Sequence, residues 1–414
     1  MSGWRLETGG ALLDREKVLS YRFDGAKLTG LAGDSLASAL LAGGRTLVGR
    51  SFKYHRPRGI FSAGPEEPSA LVTLHEGPRT DPNSRATMVE LYDGLVAHSQ
   101  NHWPSLELDA GALAGLVAPL LPAGFYYKTF MAGGQRGWHY AERHIRRAAG
   151  LGRASLEPDP DSYDHRHAFC DVLVVGAGPA GLQAARAAAA SGARVILADE
   201  QAVPGGTLWE AQGQLDGMAP SDWGQGRFQA LAALSNVTLL PRTTVVSYYD
   251  GNRLAAVERL TDHLPPGSSA GPRQRLWKLQ AAEVVIAAGA TERPIVFPGN
   301  DRPGVMLAGA ALRFAARQAV AVGRNPVLFT CHDGGHDCAF ALHDLGVPVT
   351  MIVDCRGQVP QRLRDGAAQR GITLRAGAVV CEAVGGAKGL SRLSVAEWDG
   401  ARPRGRVERV AADA

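Results

Sequence analysis

The chain has 414 residues, 45% hydrophobic and 20% charged, with a net charge of +4. That length exceeds one ordinary core, so two or three domains are expected. The basic excess is spread along the chain without aromatic interleaving, which argues against a nucleic-acid module. No apolar run approaches the roughly 18 residues of a membrane span, and the start MSGWRLETGG has no basic-then-apolar leader, so the expected location is the cytoplasm, away from membranes. Five cysteines, Cys170, Cys331, Cys338, Cys355 and Cys381, form no C-x-x-C pair and read as reduced thiols. His332 and His336 with Cys331 and Cys338 have the residue types of a zinc set. Their segment reads better as strand–turn–helix, and no metal site is expected.

Residues 1–110 form a small α+β unit. Leu19–Phe23 alternates like a strand, Asp24-Gly25 is a hairpin turn, and Lys27–Leu31 is the return strand. Asp34 is expected to cap a helix running to Leu41 and ended by Gly43-Gly44. The stretch RSFKYHRPRGIFSAGPEEPSALVTL follows, with Arg50, Lys53, Arg56 and Arg58 in its first half. It reads as a solvated basic loop or as a contact for an anion or partner. Hairpin, helix, long loop and strand are the order of a plant-type ferredoxin, whose cluster needs C-x4-C-x2-C and a later cysteine. Here those positions hold Ser62, Glu67 and Ala70, with Thr87 as the later one. None is a thiol, so a ferredoxin-like domain without an iron–sulfur cluster is expected, serving structure or docking. Residues 111–168 connect. Leu113–Leu121 is apolar, the aromatic-rich PAGFYYKTFMAGGQRGWHY is expected to pack between domains, Glu142–Ala149 forms a helix, and Pro158–Asp161 marks a boundary.

Residues 169–305 carry the strongest signal. Val172–Val175 is short and β-branched like a buried parallel strand. Gly176, Ala177, Gly178, Pro179, Ala180 and Gly181 then give G-x-G-x-x-G, and an Ala-rich helix runs over Leu182–Ala190. A second strand, Val195–Ala198, ends in Asp199 and Glu200. The first glycine permits the turn, the second lets the backbone approach a pyrophosphate, and the third lets helix pack on strand. The helix N-terminus offers N–H groups and the positive dipole end to phosphate. An acid at the strand end accepts from an adenosine ribose, with Asp199 favoured and Glu200 the near alternative, and it disfavours a 2′-phosphate.

Pro204-Gly205-Gly206-Thr207 is a second glycine turn near the expected phosphates or ribose. Val237–Leu240 and Thr243–Tyr249 read as strands, and backbone near Val245 is expected to meet the adenine. The strand ending near Ile286 runs into Ala288 and Gly289, small enough to approach the dinucleotide. Residues 306–414 resemble a second nucleotide-type unit: helix Ala310–Val320, strand Pro326–Thr330, turn HDGGHD, helix Cys338–Leu345 and strand Val347–Val353 ending in Asp354. It lacks the glycine fingerprint, so a second full dinucleotide site is not expected. The last residues, VERVAADA, read as cut off before a return to the first sheet. The fold class is therefore α/β: a clusterless ferredoxin-like domain followed by a two-dinucleotide-binding-domain oxidoreductase fold of Rossmann type.

VLSYRFDG, GDSLASALLA, GRSFKYHRPRGIFSAGPEEPSALV, LPAGFYYKTFM, VVGAGPAGLQAA, PGGTL, AAGATERP and PGNDRPGVMLAGA together resemble the α subunit of bacterial heterotetrameric sarcosine oxidase. The long basic stretch also separates the chain from opine oxidase, hydroxyproline dehydrogenase and cyanide synthase subunits. The resemblance implies a complex with β, γ and δ subunits, in which sarcosine is oxidised at FAD on β. Electrons pass to FMN at the α–β interface and then to oxygen, giving hydrogen peroxide. It implies NAD at Gly176, Gly178, Gly181 and Asp199, and at Glu200, Gly206, Thr207, Ala288 and Gly289. It supplies no catalytic residue to this chain, which is expected to be inactive alone, because the amine site lies on β. The family's C-terminal folate-binding domain has no counterpart in this sequence. The alternatives are a non-catalytic NAD-binding scaffold, or an amine or opine dehydrogenase subunit holding FAD in this chain.

Overall fold

The computed structural model describes residues 3–120, 124, 134–148, 152–386 and 388–414. It divides into two units: Met1–Pro158 with Arg293–Ala414, and Asp159–Glu292.

The first unit opens on β1 (Asp14–Phe23) and β2 (Ala26–Ala32), paired antiparallel through Asp24 and Gly25, both at positive φ as a tight hairpin requires. Alternation along β1 buries Leu19, Tyr21 and Phe23. Helix α1 (Leu36–Ala42) follows and ends at Gly43. Its cap is Ser35 rather than the expected Asp34. Ser35 has the extended backbone of a cap, and its side chain and that of Ser38 bond each other's backbone N–H reciprocally. Asp34 is buried and receives Arg5 at 3.0 and 2.6 Å, the Leu31 N–H at 2.8 Å and the Ser38 hydroxyl at 2.6 Å. A buried carboxylate needs such a charged, hydrogen-bonded set more than a helix end does.

The basic stretch makes a short hairpin of β3 (Gly49–Arg50) and β4 (Pro57–Arg58). Then come β5 (Leu71–Leu74), β6 (Asp81–Arg85) and β7 (Leu95–Ser99). The sheet order is β2-β1-β7-β5-β6, with β1 and β7 parallel. Tyr21, Phe23, Leu36, Leu40 and Leu95 fill the core between sheet and α1. This is the ferredoxin-like arrangement read from the sequence. Helix α2 spans Gly134–Ala148, starting earlier than the expected Glu142. Most of the aromatic-rich stretch from 122 to 140 lies outside the described residues.

The second unit contains β8 (Tyr163–Val175), α3 (Pro179–Ala190), β9 (Val195–Ala198), α4 (Pro220–Ala232), β10 (Val237–Leu240), β11 (Thr243–Tyr249), β12 (Arg253–Arg259) and β13 (Gln274–Ile286). Its sheet runs β10-β9-β8-β13-β12-β11; the first four strands are parallel, and β12 and β11 are antiparallel additions. Strand β9 is buried throughout, as a central parallel strand must be. Leu182, Ala185 and Ala189 of α3 pack on Val174, Val195 and Leu197. The unit begins at Asp159, inside the segment expected to connect, because β8 extends well before the fingerprint.

The first unit resumes with α5 (Ala308–Gln318), β14 (Val327–Thr330), α6 (Asp333–Asp344), β15 (Met351–Asp354), α7 (Gln361–Gln369) and β16 (Thr373–Ala376). Strands β14, β15 and β16 form a parallel sheet. Strands β17 (Ala378–Gly386), β18 (Gly389–Trp398) and β19 (Pro403–Ala411) form an antiparallel one. Helix α6 starts at Asp333, not Cys338, so HDGGHD is largely its first turn. Gly335 makes this possible, since a Cβ there would lie 2.1 Å from Thr330 Oγ1. Phe314 of α5 and Val320 join the ferredoxin-like core, and Arg5 bonds the Gln318 carbonyl at 2.5 Å. The ferredoxin-like and C-terminal parts thus share one core.

Candidate dinucleotide-binding site

Strand β8 delivers the chain into Gly176 at φ 103°, where a Cβ would meet the Ala287 carbonyl oxygen at 2.4 Å. Only glycine fits. Gly181 packs α3 against the same turn; a Cβ on it would lie 1.8 Å from Gly176 O. Gly178 caps α3, with Pro179 in the first turn. A Cβ on Gly178 would meet nothing within 4 Å, so the space over the start of the helix is open. The first N–H groups of a helix have no intrahelical acceptor, and those of Ala180 and Gly181 border that space.

The other predicted residues gather around this turn. The Gly205 N–H donates to the Ala177 carbonyl at 2.9 Å, and Gly206, at φ 53°, sits so close that its Cβ would be 3.0 Å from Gly178 Cα. Thr207 follows, exposed, in a 3-10 turn. At the end of β13 the Ala287 N–H bonds Val175 O at 2.8 Å, which sets Ala288 beside Gly176 and leaves Ala288 and Gly289 exposed. Asp199 accepts the Ala177 N–H with one carboxylate oxygen and the Gln201 N–H at 2.7 Å with the other. Glu200 is half-buried next to it, and its carbonyl accepts Arg259 at 2.7 Å. The Thr243 N–H donates to Asp199 O at 2.7 Å, so β11, with Val245 two residues on, starts at this corner. The fingerprint, the second glycine turn, the acid pair and the small residues after β13 therefore meet at the carboxyl ends of β8, β9 and β13, where open α/β sheets take ligands.

The second nucleotide-type region is built differently. Asp354, at the end of β15, is fully buried and bonded by His336 Nε2 at 2.7 Å and by Arg356 at 2.8 Å. Burial alone raises the Asp354 carboxyl, but the bonds from Arg356 and His336 outweigh it and hold it below the usual carboxylate range. Arg356 also reaches Asp333 at 2.7 Å, and Arg362 does the same at 2.7 Å. The strand-end acid is thus occupied, and an aspartate stands in the first turn of α6, where a phosphate would need positive potential. Among the described residues no group of three His, Cys, Asp or Glu could hold a metal ion, and no helix is long and apolar enough to cross a membrane.

In the ferredoxin-like domain the loop that carries the first three cluster positions closes around a carboxylate, that of Glu67 itself. Glu67, 1% exposed, accepts the N–H groups of Phe61 at 2.9 Å and Ser62 at 2.6 Å on one oxygen, and those of Ser69 at 2.7 Å and Ala70 at 2.8 Å on the other. The Thr87 hydroxyl donates to Gly64 O at 2.7 Å. Sequence reasoning saw Glu67 only as a poor cluster ligand and missed this role. The available signal was an acid flanked by Gly and Pro in a loop whose backbone donors need acceptors. The basic stretch is neither free nor solvated as a whole. Arg50 is buried and bonds the carbonyls of Leu106, Glu107 and His55, while Arg56 and Arg58 both hold Asp301. His55 bonds Asp109 at 2.7 Å. A cleft of about 350 Å³ lies between Arg50, Phe52, Arg58, Phe61 and Asn101.

Residues 16–102 match the family described as 2Fe-2S iron-sulfur cluster binding domain, and residues 170–412 match pyridine nucleotide-disulphide oxidoreductase. The chain is 51% identical over 414 residues to sarcosine oxidase subunit alpha of Rhizobium meliloti (strain 1021), covering 100% of this chain and 41% of that protein. It is 38% identical over 416 residues to sarcosine oxidase subunit alpha of Corynebacterium sp. (strain U-96), covering 98% and 38%. It therefore spans about two fifths of the length of these curated relatives. The crystal structure of L-proline dehydrogenase from P. horikoshii superposes with a TM-score of 0.55 at 17% identity, over 96% of this chain and 60% of that one, a likeness of fold alone. The resemblance read from the motifs is borne out by similarity to sarcosine oxidase α subunits along the whole chain, and the chain belongs to the pyridine nucleotide-disulphide oxidoreductase family.

Proposed function

We propose that this chain is the dinucleotide-holding part of a sarcosine-oxidising flavoenzyme, binding NAD in its second unit. The observation that carries the reading is the cradle: the position over Gly178 is open, at the first-turn N–H groups of α3 and beside Gly206. Its helix N–H donors and the open space over Gly178 suit a pyrophosphate. Gly176, Ala177, Gly178, Pro179, Ala180, Gly181 and Gly206 would hold the phosphates, with Thr207 at the rim. Asp199 stiffens the loop through its bonds to Ala177 and Gln201 and would be the acid for the ribose, with Glu200 next to it as the alternative. Val245 would lie by the adenine, and Ala288 and Gly289 would let the strand end approach. The terminal acids favour NAD over NADP.

In the assembled oxidase, flavins supply the two-electron oxidation of the amine and its transfer to oxygen. The contribution of this chain is to bind, orient and assemble: it holds the dinucleotide, helps to form an FMN site with a β subunit, and docks β, γ and δ. The sarcosine oxidase relatives support this reading by identity along the whole chain. The ferredoxin-like domain works without an iron–sulfur cluster, because residues 16–102 contain no cysteine and Glu67 takes loop N–H groups that would otherwise face cluster sulfurs. Five cysteines outside disulfides support a cytoplasmic location. Co-expression with β, γ and δ subunits tests the proposal. Sarcosine-dependent peroxide formation that requires this chain is expected; failure to assemble, or peroxide formation that is unchanged without it, contradicts it.

A further inference from the structure

Strands β14 and β15 are parallel neighbours whose last register pair is Thr330 opposite Asp354. Each is followed by a cysteine. The Cys355 N–H donates to the Thr330 carbonyl at 3.2 Å, a ladder bond of that last pair. Cys331 and Cys355 are thus the next residues on two paired strands, and paired strands lie about 4.8 Å apart. A disulfide needs Cα atoms roughly 4.4–6.8 Å apart. Both thiols are free; Cys331 is exposed and Cys355 half-buried.

We propose that Cys331 and Cys355 form a redox pair that a hydroperoxide converts to a disulfide. The Cys331 sulfur attacks the peroxide oxygen, the O–O bond breaks, and Cys331 becomes a sulfenic acid as water leaves. The Cys355 sulfur then attacks the Cys331 sulfur, the S–O bond breaks, and a second water departs with the Cys355 proton. Two thiols are oxidised and one hydrogen peroxide is reduced to two waters. A thiol reductant reverses the linkage.

The division of roles follows from the surroundings. Burial first, then the neighbouring Cys331 and Asp354, push the Cys355 thiol up, so the exposed Cys331 meets the oxidant and Cys355 resolves it. The other cysteines are placed elsewhere. Cys170 is 4% exposed, and burial pushes its thiol up to about 11. Cys338 points from α6 to the Ala308 carbonyl at 3.3 Å, and Cys381 lies in the β17-β18-β19 sheet. The linkage would tie two strand ends whose next residues, His332 and Arg356, cap α6 and hold Asp333. Hydrogen peroxide is also the product of the proposed oxidase, but the inference rests on the geometry of the pair.

The test uses the full chain, reduced and then treated with equimolar hydrogen peroxide. Remaining thiols are alkylated, and cleavage before aspartates separates Cys331, Cys338 and Cys355 onto different peptides. The expected result is a Cys331–Cys355 linked pair, lighter by two hydrogens than its parts and separated by dithiothreitol. In Cys355→Ser, Cys331 should instead be trapped by dimedone as sulfenic acid. Recovery of both cysteines alkylated, linkage of Cys331 to any other cysteine, or sulfinic acid forming at Cys331 in the native chain as fast as in the variant would overturn the proposal.

Discussion

Replacing Glu67 by alanine removes the acceptor of four backbone N–H groups at once. Two of them, on Ser62 and Ala70, belong to fully buried residues; Phe61 and Ser69 are half-buried and can take water in exchange. A buried donor left unsatisfied costs about 1–3 kcal/mol, so the two buried ones set a loss of about 4 kcal/mol. Glu67→Gln keeps one carbonyl oxygen but turns an NH2 group toward the other two donors, and about half that loss is expected. Urea unfolding measures the loss, and amide hydrogen exchange locates it. Protection at Phe61, Ser62, Ser69 and Ala70 should fall by roughly a hundredfold or more, while amides of β8 and β9 stay unchanged. An alanine variant within about 0.5 kcal/mol of the parent, with these amides still protected, would refute the idea that a carboxylate organises the loop.

Gly178→Ala meets no protein atom, so the melting temperature of the ligand-free chain should hold while dinucleotide affinity falls tenfold or more; equal affinity by calorimetry would contradict the cradle. Gly181→Ala drives a Cβ into Gly176 O, and α3 must shift, so this variant should lose both stability, by about 3 kcal/mol or more, and binding. Bonds from the Arg194 side chain and backbone hold the Asp171 carboxyl at about 2. Its contribution to stability is present above the unfolded carboxylate value of roughly 3.9 and is lost as pH falls through about 2. A carboxyl NMR titration with a midpoint near 4 would show that the ion pair does not form. Ser62→Ala removes a buried hydroxyl that has no hydrogen-bond partner among the described residues, so the urea midpoint should hold or rise; a clear fall would reveal a hidden partner.

The elements around the glycine turn were legible because each demand there is local. A positive φ, a close helix and a β-branched run leave marks in a few adjacent residues, and Gly176, Gly181 and Val172–Val175 carry them. Gly206 and Ala288 lie beside the same turn, being small residues placed next to strand or turn ends. What escaped depends on partners far along the chain. Asp34 looks like a cap until Arg5 and Ser38 claim it. Arg50 and Arg58 look solvated or ligand-seeking until Leu106 and Asp301 are brought to them by the fold. The start of α6 at Asp333 depends on the fit of Gly335 under Thr330, which periodicity does not report. Side chains that solve a burial problem are chosen by tertiary neighbours, and single-residue propensity sees only the chain beside them.

The central claim is that the second unit holds NAD. The most direct measurement is to purify the chain, denature it, and identify the released nucleotide by absorbance and mass. The account predicts NAD without flavin, near one equivalent or taken up on addition. Release of FAD would contradict it, and so would a folded chain that comes out empty and binds no NAD.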